Sequence, residues 1–283
     1  MTEPAASPAL PDPAALLALA DTCRTPCGDG SMVWHLWGRG RALVLLHGGS
    51  GSWTHWLRNI EPLAGAGRRL LVPDLPGFGD SASPPGDDAD ALVDPLLQGL
   101  QTLVGTEPVD VVAFSFGSLV ATLAAAQHPA RFARLVLVGA PVKALVPPPF
   151  RLRPWLDVQD AAQRRAIHRH NLGALMLAQP ASISELAIDL HAANLVRDRL
   201  RGRKLVRTDA MARALEQVRC PLAAIYGRAD ALYRGCWPQV EAQLRALPAL
   251  RSLSFIEGAG HWVQYEAPEA FDALVLDALA HGL

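Results

Sequence analysis

Short apolar runs alternate with longer segments of helical spacing along most of the chain. "RALVLLHGG" (41–49) is an unbroken apolar run, as expected of a strand covered on both faces. "SMVWHLW" (31–37) alternates like a strand. "WTHWLRNIEPLAG" (53–65) has helical spacing, with Trp53, Trp56, Ile60 and Leu63 on one side. "RRLLVPDLPGFG" (68–79) reads as a strand running into a Pro/Gly loop, and "DALVDPLLQGLQTLV" (90–104) as a helix with Pro95 near its first turn. "VDVVAFS" is a strand, "FGSLVATLAAAQHP" a helix and "RLVLVGAP" (134–141) a strand again. This βαβ rhythm predicts an α/β fold, a mostly parallel central sheet with helices on both faces.

The rhythm breaks at 141. "PVKALVPPPFRLRPW" holds five prolines in fifteen residues and cannot form a regular element. Residues 155–205 then look helical throughout, and "PASISEL" offers a helix start, with Ser182 as cap and Glu185 three residues later. Strand character returns in "CPLAAIYGRAD" (220–230). A helix near 236–246, a strand at 251–258 and a final helix follow. The expected organisation is a flexible arm at 1–18, a core formed by 19–141 and 207–283, and a helical cap at 142–206.

Composition narrows the class. A chain of 283 residues with half of them hydrophobic and 19% charged is globular, one large domain with an insertion. A net charge of −1 gives no field that favours nucleic acid or a membrane. "MTEPAASPALPDP" has no Lys or Arg and four prolines, so it reads as a loose arm rather than a signal peptide. The expectation is a cytoplasmic protein acting on a small molecule, with homo-oligomerisation left open. Cys23 and Cys27 lack the companion spacing of a zinc site, so all four cysteines read as reduced thiols. The 151–207 segment is basic, eleven Arg and Lys against five Asp and Glu. A solvated helix face is the plain reading. The functional one is a positive lid that draws anionic substrates into a cleft, with Arg153 and Arg169 as candidates to meet a carboxylate.

Chemistry concentrates at strand ends. Ala113-Phe114-Ser115-Phe116-Gly117 fits the pattern small-x-nucleophile-x-small. A sharp strand-to-helix turn presses the residues two before and two after the serine against neighbouring backbone, so only Ala or Gly fits there. The turn exposes the hydroxyl, and the N–H of Phe116 can face a developing oxyanion. A simple turn is the alternative reading. A serine also needs a base. Among nine histidines, His261 lies in a loop after the last strand, at the end of the sheet where ligands bind. Asp230 ends the preceding strand and can hold the histidine tautomer. The order Ser115, Asp230, His261 is the one this architecture uses. In "LLHGGSGSW", Gly48 and Gly49 let the backbone approach, and the N–H of Gly49, or of Ser50, supplies a second oxyanion donor. His47 reads as a brace for that loop. Asp74, in "DLPGFGDS", reads as part of a structural turn.

"HGGSGSW", "DLPGFGDS", "AFSFGS", "YGRAD" and "GAGHW" together resemble the motifs of the α/β-hydrolase family and frame residues 31–283. The resemblance implies the α/β-hydrolase fold, with 142–206 as the cap over the active site. "WLRNIEPLA", "VPDLPGFGDS", "HNLGALML" and "GHWVQYEAPEAF" are similar to segments of the meta-cleavage-product hydrolases, which cleave carbon–carbon bonds in 2-hydroxy-6-oxo-dienoates. Those enzymes carry Gly-Asn-Ser-Met-Gly at the nucleophile and a proline in the oxyanion loop. Here Phe114 stands in place of the Asn, and "HGGSGS" has no proline. Serine at the nucleophile position separates the chain from the dehalogenases and epoxide hydrolases of the family, which use Asp. The resulting expectation is a serine hydrolase that cleaves a small or medium apolar ester through an acyl-enzyme. Carbon–carbon hydrolysis and a slow-turnover ligand-binding protein are the alternatives. Ser50, Trp53, Phe114 and Trp262 are the expected pocket residues, and the mechanism requires neither a metal nor a redox cofactor.

Overall fold

The computed structural model describes residues 10–142, 151–200 and 203–280. Its centre is an eight-stranded sheet: β1 (Asp21–Cys27), β2 (Gly30–Trp37), β3 (Arg41–Leu46), β4 (Arg68–Pro73), β5 (Val109–Phe114), β6 (Phe132–Val138), β7 (Leu222–Gly227) and β8 (Leu250–Ile256). The spatial order is β1-β2-β4-β3-β5-β6-β7-β8. β2 runs antiparallel to β1 and β4, and every other neighbouring pair is parallel.

The helices are α1 (Pro13–Ala18), α2 (Ile60–Gly65), α3 (Val93–Val104), α4 (Phe116–Gln127), α5 (Ala161–Asn171), α6 (Glu185–Val196), α7 (Ala210–Leu215), α8 (Trp237–Arg245), α9 (Val263–Glu266) and α10 (Pro268–Ala280). One apolar cluster joins one sheet face to α3, α4, α7 and α8, through residues such as Leu96, Leu119, Leu215 and Leu244. A second joins the other face to α2 and α10 through Leu63 and Phe271, and takes in Leu172, Met176 and Ile188 of the inserted segment. No helix among the described residues is long and apolar enough to cross a membrane.

Several elements differ from the sequence expectation. β2 does not alternate between buried and exposed; Met32 to Trp37 are all buried. Met32, Trp34 and Leu36 enter the first cluster and Trp37 the second, so both faces are covered. The arm is not loose from Pro13 onward. Asp12 caps α1 by accepting from the Ala14 N–H at 2.9 Å, and Trp37 Nε1 donates to the carbonyl of buried Leu16 at 3.0 Å. Residues 1–9 of that arm lie outside the described residues. The single helix expected over 53–65 is a 3-10 turn, Trp53–Trp56, followed by α2. Pro62 lacks the N–H that a continuous helix would donate to residue 58.

The insertion follows β6, and its described residues contain α5, a π-helical turn at Leu172–Met176, α6 and 3-10 turns, with no strand. Its proline-rich start at 143–150 lies outside the described residues. The cap of α6 is Ser184, which accepts from the Ala187 N–H at 3.1 Å, rather than Ser182, which ends a preceding 3-10 turn. The segment leaving α6 is fastened to the core. The Arg199 N–H donates to Gly77 O at 2.9 Å, and Asp88 Oδ2 accepts from the N–H groups of Lys204 and Leu205 at 2.6 and 3.0 Å.

Candidate active site

Ser115 sits between β5 and α4 with φ 50° and ψ −112°, a left-handed conformation that costs a non-glycine residue energy and marks a constrained position. Its N–H donates to Val138 O at 2.7 Å, which ties the turn to the end of β6. Gly117 shows why the turn needs small residues. A Cβ there would lie 2.5 Å from His47 O and 2.8 Å from Leu46 O, both fixed backbone atoms.

His261 follows β8 and Asp230 follows β7, so both arrive at the same end of the sheet. His261 Nε2 lies 2.9 Å from Ser115 Oγ, and His261 Nδ1 lies 2.7 Å from Asp230 Oδ2. A carboxylate only accepts, so Nδ1 carries the proton and Nε2 presents its lone pair to the serine hydroxyl. Asp230 is held in turn by the Leu232 N–H, which donates to Oδ1 at 2.9 Å. His261 and Asp230 are buried, while Ser115 keeps partial exposure to a cavity.

The loop after β3 approaches from the side. The Gly48 N–H donates to His55 Nδ1 at 3.2 Å and is therefore committed. Phe116 is the first residue of α4, and a first-turn N–H has no intrahelical partner. His47 donates from Nδ1 to Gly48 O at 2.7 Å and accepts at Nε2 from the Leu75 N–H at 2.8 Å. Burial lowers its pKa, so it is the neutral brace this bonding pattern requires. Asp74 accepts from the N–H groups of Trp53 and Asp80 at 2.9 and 2.8 Å, a structural hub of its turn.

The cavity over Ser115 measures about 280 Å³. Gly49, Ser50, Phe114, Ser115, Phe116 and His261 line it from the core, and Leu175, Met176, His191, Leu195 and Arg203 from the insertion. Two expected pocket residues do not reach it. Trp53 is buried against His35 and Trp37. Trp262 stacks on Tyr265 and donates from Nε1 to His55 O at 2.9 Å, so it braces the site from behind.

Arg153 and Arg169 are also elsewhere. Both are exposed; the Arg153 backbone pairs with Asn171, and the Arg169 guanidinium pairs with Glu185. Among the described residues the insertion arginine at the cavity is Arg203, one of ten between 151 and 207 and without a sequence mark of its own. His55 and His191 also line the cavity and were not singled out by sequence. Burial, then neighbouring His47, His191 and His261, holds His55 well below the usual imidazole range. Burial, then His168, brings His191 down to about 4. Both are held neutral at pH 7, so these two side chains add no positive charge to the cavity.

A parallel sheet with a left-handed serine at one strand end, and a histidine and carboxylate on the two following loops, defines a hydrolase architecture. The model of the alpha/beta hydrolase fold family matches residues 41–182, half of the chain, and the protein belongs to that family. It is a hydrolase. It is 27% identical to a 2-hydroxy-6-oxo-6-phenylhexa-2,4-dienoate hydrolase of Burkholderia cepacia, over 87% of this chain and 90% of that one. It is 29% identical to a 2-hydroxy-6-oxononadienedioate/2-hydroxy-6-oxononatrienedioate hydrolase of Pseudomonas putida, over 84% and 87%. Among solved structures, an esterase from Rhodococcus superposes with a TM-score of 0.73 at 24% identity, over 92% of this chain and 98% of that one, a likeness of fold.

Proposed function

We propose that the protein is a serine esterase for small or medium apolar substrates, with Ser115 as nucleophile, His261 as base and acid, and Asp230 as the orienting carboxylate. The observation that carries this reading is the unbroken relay from Asp230 Oδ2 through His261 to Ser115 Oγ, at 2.7 and 2.9 Å, opening on a largely apolar cavity. Ser115 Oγ attacks the ester carbonyl as its proton passes to His261 Nε2. Asp230 stabilises the imidazolium. The oxyanion meets the N–H groups of Gly49 and Phe116; each such donor is worth roughly 10²–10³ in rate. Collapse expels the alcohol, which takes the proton from Nε2. Water, deprotonated by the same nitrogen, then frees the acid and restores Ser115.

The cavity supports a neutral substrate over an anionic one. Arg165 and Arg169 pair with Glu185 and Asp189 on the exposed face of the insertion, and Arg203 is paired with Asp198 at 3.0 Å. The insertion acts as the cap. Four free thiols are in keeping with a cytoplasmic setting.

The test is turnover of short p-nitrophenyl esters by wild type and Ser115→Ala, with fluorophosphonate labelling. Wild type should turn over and label at Ser115, and the variant should do neither. Absence of both in wild type overturns the reading and leaves a ligand-binding protein. Carbon–carbon hydrolysis is the second reading, favoured by the dienoate hydrolases that match most of the chain. A ring-fission dienoate assayed beside the esters separates the two.

A further inference from the structure

Outside the serine relay, one residue shares its unusual backbone. Ser50 has φ 50°, and it and Ser115 are the non-glycine residues with positive φ among those described. L-residues reach this region only at an energetic cost, and hold it when surroundings enforce it.

The enforcement comes from the insertion. Ser50 Oγ donates to Asp198 Oδ2 at 2.5 Å and accepts from Arg203 at 3.2 Å. Arg203 also donates to Asp198 Oδ2 at 3.0 Å, and the Leu200 N–H donates to Asp198 Oδ1 at 3.0 Å. The guanidinium lies over the rings of Phe78 and Phe116, 5.4 Å from each centroid. It also covers Gly49, where a Cβ would come within 3.3 Å of it. The segment bearing both residues is anchored to the core just after Asp198, by Arg199 N to Gly77 O, and just after Arg203, by Asp88 to the N–H groups of Lys204 and Leu205.

We propose that Asp198 and Arg203 are positioning residues that hold Ser50 left-handed and so fix the peptide of Gly49 as an oxyanion donor. The cap thereby completes the oxyanion site through Ser50. The catalytic consequence rests on the esterase reading; the conformational one does not.

The test pairs kinetics with crystallography on the full chain. Asp198→Ala should lower kcat for p-nitrophenyl butyrate by about 10-fold or more, toward the roughly 10²–10³ that one oxyanion donor carries. KM should stay within about twofold, because the donor acts on the transition state. Glycine takes positive φ without strain, so Ser50→Gly added to Asp198→Ala should recover several-fold in kcat. A merely structural role for Asp198 gives no such rescue. Should Asp198→Ala not fold, Ser50→Ala against Ser50→Gly asks the same question without touching the insertion, and the glycine variant should be the faster. Crystal structures of wild type and of Asp198→Ala, or of Ser50→Ala, read the φ of residue 50 directly. Residue 50 remaining left-handed without its tether overturns the proposal whatever the activity. So does a double variant no faster than Asp198→Ala. Wild type inactive on every ester defeats the esterase reading instead, and the crystallographic comparison still decides the tether.

Discussion

Glu266 is the residue on which the histidine loop and the insertion meet. Its Oε2 accepts from the N–H groups of Gly260 and Ala178 at 2.6 and 3.1 Å, and its Oε1 from the Gln179 N–H at 2.6 Å. Gly260 precedes His261 and is buried, whereas Ala178 and Gln179 are exposed. Glu266→Gln is isosteric but has a single acceptor oxygen. With that oxygen on the Oε2 side, the bonds from Gly260 and Ala178 survive, and the amide NH₂ faces the Gln179 N–H. The opposite rotamer strands the buried Gly260 N–H and is the worse choice, because that donor has no water to turn to. The variant therefore loses one charge-assisted hydrogen bond outright and weakens two, about 2 kcal/mol. For a chain of this size that is roughly 4–8 °C in melting temperature. Glu266→Ala removes the acceptor of all three and strands the buried Gly260 N–H, so it should cost more, with a larger fall in kcat because the Gly260 peptide sets the approach of His261. Thermal melts followed by circular dichroism, with p-nitrophenyl ester rates on the same samples, make the measurement. A Glu266→Gln variant melting within about 1 °C of wild type would refute the reasoning.

Other substitutions test separate parts of the same picture. Gly139 has φ 52°, and a Cβ there would lie 3.1 Å from His261 Nδ1 and Cε1. Gly139→Ala should cost about 1–2 kcal/mol of backbone strain and lower kcat by disturbing His261, as read in initial ester rates. Burial, offset in part by Asn59, pushes the Asp272 carboxyl up to about 7 from 3.8. The folded chain then holds a proton that the unfolded chain has released, so this group makes stability fall as pH rises between those values and level off above. Asp272→Asn should flatten that slope in urea titrations run across the window. Asn194 accepts from Ser52 Oγ at 2.8 Å and donates to Thr54 Oγ1 at 3.0 Å, all three groups buried. Ser52 and Thr54 keep their mutual hydroxyl bond at 2.8 Å without Asn194, but the Ser52 proton loses its acceptor, so Asn194→Ala should cost about 1–3 kcal/mol, read from denaturant midpoints.

The parts of the fold that sequence made legible are those where one local cause dominates. β3 is covered on both faces, so its run from Ala42 to Leu46 is apolar throughout, and the run of β5 is interrupted only by Asp110, which pairs with Arg41, Arg68 and Arg134. The turn at Ser115 announces itself because backbone contact at 117 excludes any side chain. What stayed hidden depends on distant partners. β1 reads "DTCRTPC", an edge strand exposed at Asp21, Thr22, Arg24 and Pro26, and so without an apolar run. Trp53 and Trp262 have the composition of pocket residues, yet helix and loop packing turns both into the core. Arg203 is the sharpest case. Ten arginines lie between 151 and 207, and only the route of the chain across the β3 loop distinguishes the one at the cavity.

The contacts between insertion and core share a pattern that bears on how the enzyme is built. Asp198 and Arg203 hold Ser50, next to Gly49. Asn194 holds Ser52 and Thr54, which begin the turn that carries His55. Met176 O accepts from the Trp262 N–H at 2.8 Å, and Glu266 ties Gly260 to Ala178 and Gln179. Each tie falls within one or two residues of a group that lines the cavity, on the Gly49 side or on the His261 side. A lid that merely covered a finished site would need none of them, because β5 with α4 already fixes Ser115 and the end of β7 already fixes Asp230. Ser115 and Asp230 thus belong to the sheet, while the loops that carry His261 and Gly49 take part of their shape from the insertion. Deleting the insertion would then do more than expose the cavity. On the proposed reading it would release Ser50 from its left-handed backbone and free the peptide before His261, leaving Ser115 on its scaffold but His261 and Gly49 without their settled positions.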